Sequence, residues 1–187
     1  MKILSRSFYA KDTVDVAMDL LGKILVRKIG NKTISGIITE TEAYRYKDDP
    51  ASHSFSGLTE RNKVMFGPVG MAYVYFTYGM HYCMNAVARD DNYEAGAVLI
   101  RALKPREGIS FMAKQRKTDK ISNLTNGPAK LTQALQITKK QYGEDLTKTS
   151  SLFIADGIRI KQSDIITKPR VGIKKATDKL WNFTIRN

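Results

Sequence analysis

Between residues 71 and 88 the chain alternates large and small side chains about a single glycine. The run is Tyr73-Val74-Tyr75-Phe76-Thr77-Tyr78-Gly79-Met80-His81-Tyr82-Cys83-Met84-Asn85. A period of two with a glycine at its middle fits a β-hairpin with Tyr78-Gly79-Met80 near its tip, and it fits no helix. Two such strands cannot bury their apolar faces alone, so the hairpin must belong to a larger sheet. It also holds four of the chain's nine tyrosines, Tyr73, Tyr75, Tyr78 and Tyr82. A wall of rings on one ribbon is a chemical resource as well as a structural one.

Other segments supply the rest of that sheet. Lys23 to Ile29 and Thr33 to Thr41 are expected as strands joined at Gly30-Asn31. Ala97 to Leu103 is expected as another strand. Asp156-Gly157, between Leu152–Ala155 and Ile158–Ile160, predicts a further hairpin. The final strand should turn Trp181, Phe183 and Ile185 inward. Asp12 can cap a helix whose Val14, Ala17, Met18 and Leu21 share one face, with Gly22 ending it. Thr59 can cap a short helix carrying Arg61, Asn62, Met65 and Phe66. A basic helix is expected from Arg106 to Arg116, and Asn126-Gly127-Pro128 opens another with Leu131, Ala134 and Leu135 inward. Strands outnumber helices and tight turns join them, so the chain is expected to be an α+β domain on an antiparallel sheet, one domain over 1–187.

Charge is distributed unevenly. The net +13 arises from 31 Lys+Arg against 18 Asp+Glu. Residues 1–100 hold 12 against 11 and residues 101–187 hold 19 against 7, so nearly all of the excess lies in the C-terminal half. Such a field attracts polyanions and makes binding salt-dependent. No apolar run approaches the length of a membrane span, so no membrane partner is expected. The N-terminus lacks the apolar segment and cleavage site of a secretory signal. An intracellular protein is expected, cytoplasmic or nucleoid-associated in a prokaryote and nuclear in a eukaryote. One cysteine, Cys83, permits no internal disulfide and is expected as a buried thiol. Two histidines and that cysteine make no zinc site. The glycine-rich nucleotide loops, the H-E-x-x-H pair and the G-x-S-x-G elbow are all missing from the sequence.

Two groups can carry chemistry. Glu40 and Glu42, two apart on a strand, point to one side, and the isoleucines before them mark the strand as partly buried. A carboxylate there needs a partner or a purpose. Beside an apolar aromatic wall its pKa would rise, which suits a general base. Tyr44, His53 and Tyr75 can form a slot the size of a base, since aromatic faces stack on any nucleobase and most strongly on cationic ones. Tyr78, bulky and at a hairpin tip, suits a wedge that enters a duplex in place of an extruded base. Pro128-Ala129-Lys130 at a helix start suggests a phosphate contact. On the residues alone this is a nucleic-acid binder with a carboxylate near an aromatic slot. A non-enzymatic stacking module and an RNA-directed enzyme remain open beside a DNA-directed one.

Taken in order, these segments resemble the alkyladenine (3-methyladenine) DNA glycosylase family of the mammalian type. The likeness runs through Asp12–Ala17, Leu20–Lys23, Glu40–Tyr44, Ala51–Ser54, Arg61-Asn62, Met65-Phe66, the Tyr73–Asn85 hairpin, Leu99–Pro105, Gly127–Leu131 and Arg170–Gly172. The resemblance implies a single mixed domain around a curved antiparallel sheet with a protruding hairpin. It implies no metal or organic cofactor, a monomer, and duplex DNA containing damaged purines as partner. It casts Glu42 as general base, with Arg101 and the Val171 carbonyl helping to hold the attacking water. Tyr44, His53, Tyr75 and Met65 become pocket walls, and Asn85 opposes the 2-amino group of normal guanine. Tyr78 becomes the wedge, and Arg61 and Lys130 meet the DNA backbone. The expected reaction flips 3-methyladenine, 7-methylguanine, hypoxanthine or ethenoadenine from the duplex and hydrolyses the glycosidic bond. No lysine falls in the segments assigned to the pocket, which favours hydrolysis over a Schiff-base route. The chain departs from the family pattern at Val69, at His81 and at Asn182, where an arginine is usual, and none of these is expected to touch the chemistry.

Overall fold

Residues 1–186 are described by the computed structural model; Asn187, the last position of the expected domain, lies outside the described residues. The longest element is a strand of 14 residues. The hairpin expected at Gly30-Asn31 forms β1 (Ile24–Ile29) and β2 (Lys32–Arg45), and β2 runs four residues past the expected end at Thr41. Its outer edge has two successive neighbours. β1 pairs with its first half, and β8 (Asn182–Ile185) pairs with Glu40–Glu42 in the second. The inner edge pairs throughout with β5 (Gly96–Glu107). The tyrosine hairpin is β3 (Ala72–Thr77) and β4 (His81–Val87), and β4 docks on β5. With β6 (Leu152–Ala155) and β7 (Ile165–Lys168), the curved antiparallel sheet has eight strands.

Four helices complete an α+β domain: α1 (Arg6–Tyr9), α2 (Thr13–Asp19), α3 (Ile109–Arg116) and α4 (Pro128–Ala134). Asp12 caps α2 by accepting the Val14 amide at 2.8 Å, as the sequence predicts. α2 and α4 cover one face of the sheet, and Val16, Ala17, Leu20, Leu131 and Leu135 join Ile34, Ile38, Val98 and Ile100 in one core. No helix is long and apolar enough to cross a membrane among the described residues.

Two β-bulges give this sheet its functional face. Between Ile38↔Leu103 and Glu40↔Ala102 the extra residue is Thr39; between Glu40↔Ala102 and Thr41↔Ile100 it is Arg101. Because side chains alternate with a period of two, one inserted residue exchanges the faces. Ile34 and Ile38 therefore lie in the core before the bulge, and Thr41 and Ala43 take that face after it. The Thr41 hydroxyl donates to the Ala17 carbonyl in α2 at 2.7 Å. Glu40, Glu42 and Tyr44 are thereby turned to the opposite face.

Several expectations are corrected. The chain after Asp156-Gly157 does not return along β6 as a hairpin; β6 pairs with β1. The Ile158 amide instead donates to the Gly22 carbonyl at 3.1 Å, so Gly157 packs back-to-back on Gly22. The helix expected from Thr59 is a turn followed by a 3₁₀ turn, Lys63–Phe66. β5 continues through Arg106, and α3 begins only after Gly108, whose φ of 72° breaks the strand. Trp181 precedes β8 rather than alternating within it.

The glycine contact is a test of the corrected topology. Gly22 has φ +80°, and a Cβ there would sit 2.5 Å from the Ile158 carbonyl oxygen. Gly22→Ala should lower unfolding free energy by about 1–3 kcal/mol, the usual range for overpacking. Urea denaturation measures it, and an unchanged midpoint would contradict this packing.

Candidate active site

The aromatic face of the hairpin and the bulged face of β2 enclose a cavity of about 440 Å³. Tyr44, His53, Met65, Tyr75, Asn85 and Arg101 all line it, and so does Val171, so seven separately expected residues converge on one hollow. Tyr78 stands at its mouth. Lys174 and Lys175 also line the cavity, which corrects the expectation that no lysine would do so. Both are exposed.

Glu42 stands behind this wall with no exposed surface. Each of its oxygens accepts two hydrogen bonds. Oε2 takes the Tyr44 hydroxyl at 2.8 Å and Arg101 Nη1 at 3.2 Å. Oε1 takes the Val171 amide at 2.7 Å and Asn182 Nδ2 at 3.0 Å. The Val171 amide N–H thus lies on Glu42, beside the carbonyl expected to help hold the attacking water. Glu40 belongs to the same cluster: its Oε1 accepts Arg101 Nε at 2.9 Å and Asn182 Nδ2 at 2.8 Å. Asn182, a departure expected to stand apart from the chemistry, thus bonds Glu42, the residue expected to be the base. A polar residue between Trp181 and Phe183 on an inward strand was the available signal, and only the pairing of β8 with β2 gives it meaning.

A second buried ion pair holds the segment that brings Val171. Arg170 and Asp49 are both without side-chain exposure and form two parallel contacts of 2.6 Å. Arg170 also donates to the Ala43 carbonyl at 2.8 Å, and its guanidinium lies over the rings of Tyr44 and Trp181 at 4.6 and 5.2 Å. Asp49 further accepts the amides of Arg45 and Ala51. One clamp thus fixes β2, the loop that carries His53, and the Val171 segment. Bidentate, planar pairing of this kind is what arginine supplies and lysine cannot.

The pocket walls are themselves tied together. His53 Nδ1 lies 2.8 Å from the Tyr73 hydroxyl, and its ring packs edge-on against Tyr75 at 4.6 Å. Although one side of His53 stays open to solvent, burial of the ring, followed by the nearby Arg61 guanidinium, pushes its pKa down to about 4. The imidazole is therefore neutral near pH 7. Burial likewise pushes the Tyr44, Tyr73 and Tyr75 phenols up, keeping them protonated donors. Burial also pushes the Cys83 thiol up, which suits the buried, unreactive role expected of it. Asn85 is fixed by donating to the Tyr73 carbonyl at 3.0 Å, and Met65 is buried below the tyrosines.

The two expected phosphate contacts are occupied within the chain. Arg61 lies over the Tyr75 ring at 5.2 Å and donates to the Phe76 carbonyl. Lys130 Nζ donates to Asn126 Oδ1 at 2.8 Å. Tyr78 is 86% exposed, the highest value of any large hydrophobic among the described residues. It has φ 51° beside Gly79 at 67°, which makes a turn with both central residues left-handed. A tyrosine in that conformation is costly and is kept where the turn has a use. No three His, Cys, Asp or Glu side chains among the described residues converge as a metal site.

The methylpurine-DNA glycosylase family profile matches residues 7–187. A protein of Carboxydothermus hydrogenoformans is 47% identical over 185 residues, 99% of this chain and 96% of the relative. One of Prosthecochloris aestuarii is 51% identical over 94% of this chain and 84% of its own. One of Desulfitobacterium hafniense is 45% identical over 100% and 97%. All three have been assigned the name 3-methyladenine DNA glycosylase.

Two measurements test the site as a built object. Asp49→Ala would strand a buried guanidinium and should cost about 3–5 kcal/mol of stability; urea denaturation within 1 kcal/mol or so of wild type would contradict the clamp. For His53 the folded pKa of about 4 lies below the ordinary 6.5. Between those values the unfolded chain binds a proton that the folded chain does not, so wild-type stability falls as pH drops through that window. His53→Gln should flatten that part of the profile. Melting temperatures of both proteins from pH 7 to pH 4 give the difference directly.

Proposed function

The chain belongs to the methylpurine-DNA glycosylase family, and on that footing we propose that it acts as a monomer on duplex DNA, extruding alkylated or deaminated purines into the tyrosine-lined cavity and hydrolysing their glycosidic bonds. The substrates of this reading are 3-methyladenine and 7-methylguanine, with hypoxanthine and ethenoadenine. The observation that carries it is the position of Glu42, a carboxylate immediately behind an aromatic hollow and bonded to three residues, Tyr44, Arg101 and Val171, that line it.

The chemistry follows from what surrounds the hollow. Tyr78, exposed at its mouth, fills the gap left in the duplex. A purine alkylated at N3 or N7 is cationic, and it stacks favourably between Tyr44, Tyr75 and His53. Neutral His53 lets such a cation enter without charge repulsion. The Asn85 side chain, fixed by its bond to the Tyr73 carbonyl, crowds the edge where guanine carries its 2-amino group. Water then attacks C1′ as the C1′–N bond breaks. Its proton passes to Glu42, the bond electrons leave with the base, and the products are a free base and an abasic site. Arg101 and Val171 both line the cavity and both bond Glu42, so the attacking water approaches Glu42 from their side. The negative cluster also stabilises the oxocarbenium-like state.

Lys174 and Lys175 are the amines at the cavity. A Schiff-base lysine is activated by desolvation or by a neighbouring cation in a closed site. These two lie exposed, which favours water as the nucleophile.

The test is single-turnover incubation with duplexes carrying one lesion each. Wild type should release the base and leave an intact abasic strand, with no adduct trapped by borohydride. Glu42→Gln should bind as well and react roughly 10²–10⁴-fold more slowly, the range for loss of a general base. Near-normal release by Glu42→Gln refutes the role given to Glu42, and binding without release by wild type points to a stacking module.

A further inference from the structure

We infer that Asn182 is a positioning residue for catalysis, whose side-chain amide fixes the plane of the Glu42 carboxylate and bridges it to Glu40. This rests on Glu42 being the base of the proposed reaction. The geometry places Asn182 directly across from Glu42 in the β2–β8 pair, where opposed side chains share a face. Both are buried, with Asn182 only 1% exposed.

The amide is used to its full capacity. A carboxamide nitrogen carries two hydrogens, and Nδ2 of Asn182 donates to Glu40 Oε1 at 2.8 Å and Glu42 Oε1 at 3.0 Å. Its other end accepts the Thr184 hydroxyl at 3.3 Å. This pattern decides which end is nitrogen, because the carbonyl oxygen turned the other way would face two carboxylates. Asn182 is therefore required as a donor, and aspartate of the same size could not replace it.

Its effect on Glu42 follows from the softness of the terminal carboxylate torsion, which has no sharp staggered minima of its own. Partners set the plane. Tyr44 and Arg101 hold Oε2 from the sheet. Oε1 is held by Asn182 and by the Val171 amide, and Val171 lies in an exposed segment. Asn182 is the side-chain partner of Oε1, and it bonds Glu42 from a strand paired with β2. It thereby helps determine where the lone pair that receives the proton points. A neutral bridge has a second consequence. Glu40 and Glu42 share a single guanidinium, Arg101, so an uncharged donor at position 182 leaves the cluster with an excess of negative charge facing the sugar.

The experiment compares Asn182→Ala, Asn182→Ser and Asn182→Asp with wild type and Glu42→Gln. It measures the single-turnover rate of base release at saturating protein, the dissociation constant for the same lesion duplex, and the melting temperature. Asn182→Ala should slow release by about 10–100-fold, the scale of a small misplacement of a catalytic group, while the dissociation constant stays unchanged. Asn182→Asp should be slower still, and Asn182→Ser, which keeps one hydroxyl donor, should recover part of the loss. A wild-type rate in folded Asn182→Ala overturns the inference, as does weakened binding that accounts for all of its loss. Should the alanine protein fail to fold, equal rates for the Ser and Asp variants overturn it. Glu42→Gln separates the two readings. If that protein retains turnover, the assignment of the base fails and this inference with it; if it is inactive while Asn182→Ala reacts normally, only this inference fails.

Discussion

Arg101 between Glu40 and Glu42 is the interaction around which the rest of the molecule is arranged. A carboxylate with no exposed surface is tolerated only when donors answer its oxygens, and removing it from water without them costs several kcal/mol. Two carboxylates on one guanidinium also leave donors to be found elsewhere. Each long-range feature of the fold supplies one. The bulge at Arg101 in β5 aims the guanidinium at β2, and β8 crosses from the far end of the chain to add the Asn182 amide. The Arg170–Asp49 clamp brings the Val171 amide. Tyr44, two residues along the same strand face, closes the set.

The paired bulges explain how a strand with a fully buried apolar face can also carry this cluster. Without an inserted residue, Glu40, Glu42 and Tyr44 would share a face with Ile34 and Ile38 and would point into the core beneath α2. With Thr39 inserted, the alternation reverses at the point where β2 exchanges β1 for β8 as its neighbour. A bulge beside an active site therefore acts as a change of phase, converting one strand from a core element into a wall of the cavity.

This accounts for what was legible in the sequence. The hairpin of Tyr73 to Asn85, the cap at Asp12 and the turn at Gly30-Asn31 depend on neighbours along the chain, and the structure has all three. The resemblance of ordered segments to a glycosylase family picked out Glu42, Tyr44, Tyr75 and Arg101 without showing how they meet. Residues whose meaning depends on distant pairing were not legible. Asn182 reads only as a departure from the family pattern, because nothing local joins it to Glu42, 140 positions away. Asp156-Gly157 has the composition of a hairpin turn, yet Gly157 serves a close approach to Gly22, which local turn chemistry cannot distinguish. Arg61 and Lys130, expected to meet the DNA backbone, also have partners within the chain, of which charge in a sequence carries no record.

Charge placement joins these features in a way that suits the cationic leaving group of the proposed reaction. The cavity walls are uncharged where the base would lie: phenols held protonated by burial, an imidazole held neutral, a buried thiol. The negative charge of Glu40 and Glu42 is set behind the rings and only half offset by Arg101, the lining cation paired to it, while Lys174 and Lys175 stand exposed among the lining residues. A cationic purine meets rings at close range and carboxylates beyond them, both attractive, whereas phosphate would be drawn to the lysines and repelled from the interior. A neutral purine gains the stacking but not the electrostatic term, and the walls offer no charged acid to assist its departure. On the proposed reaction, the same arrangement that lets the site hold a buried carboxylate would thus sort leaving groups by charge, ahead of any contact that reads their shape.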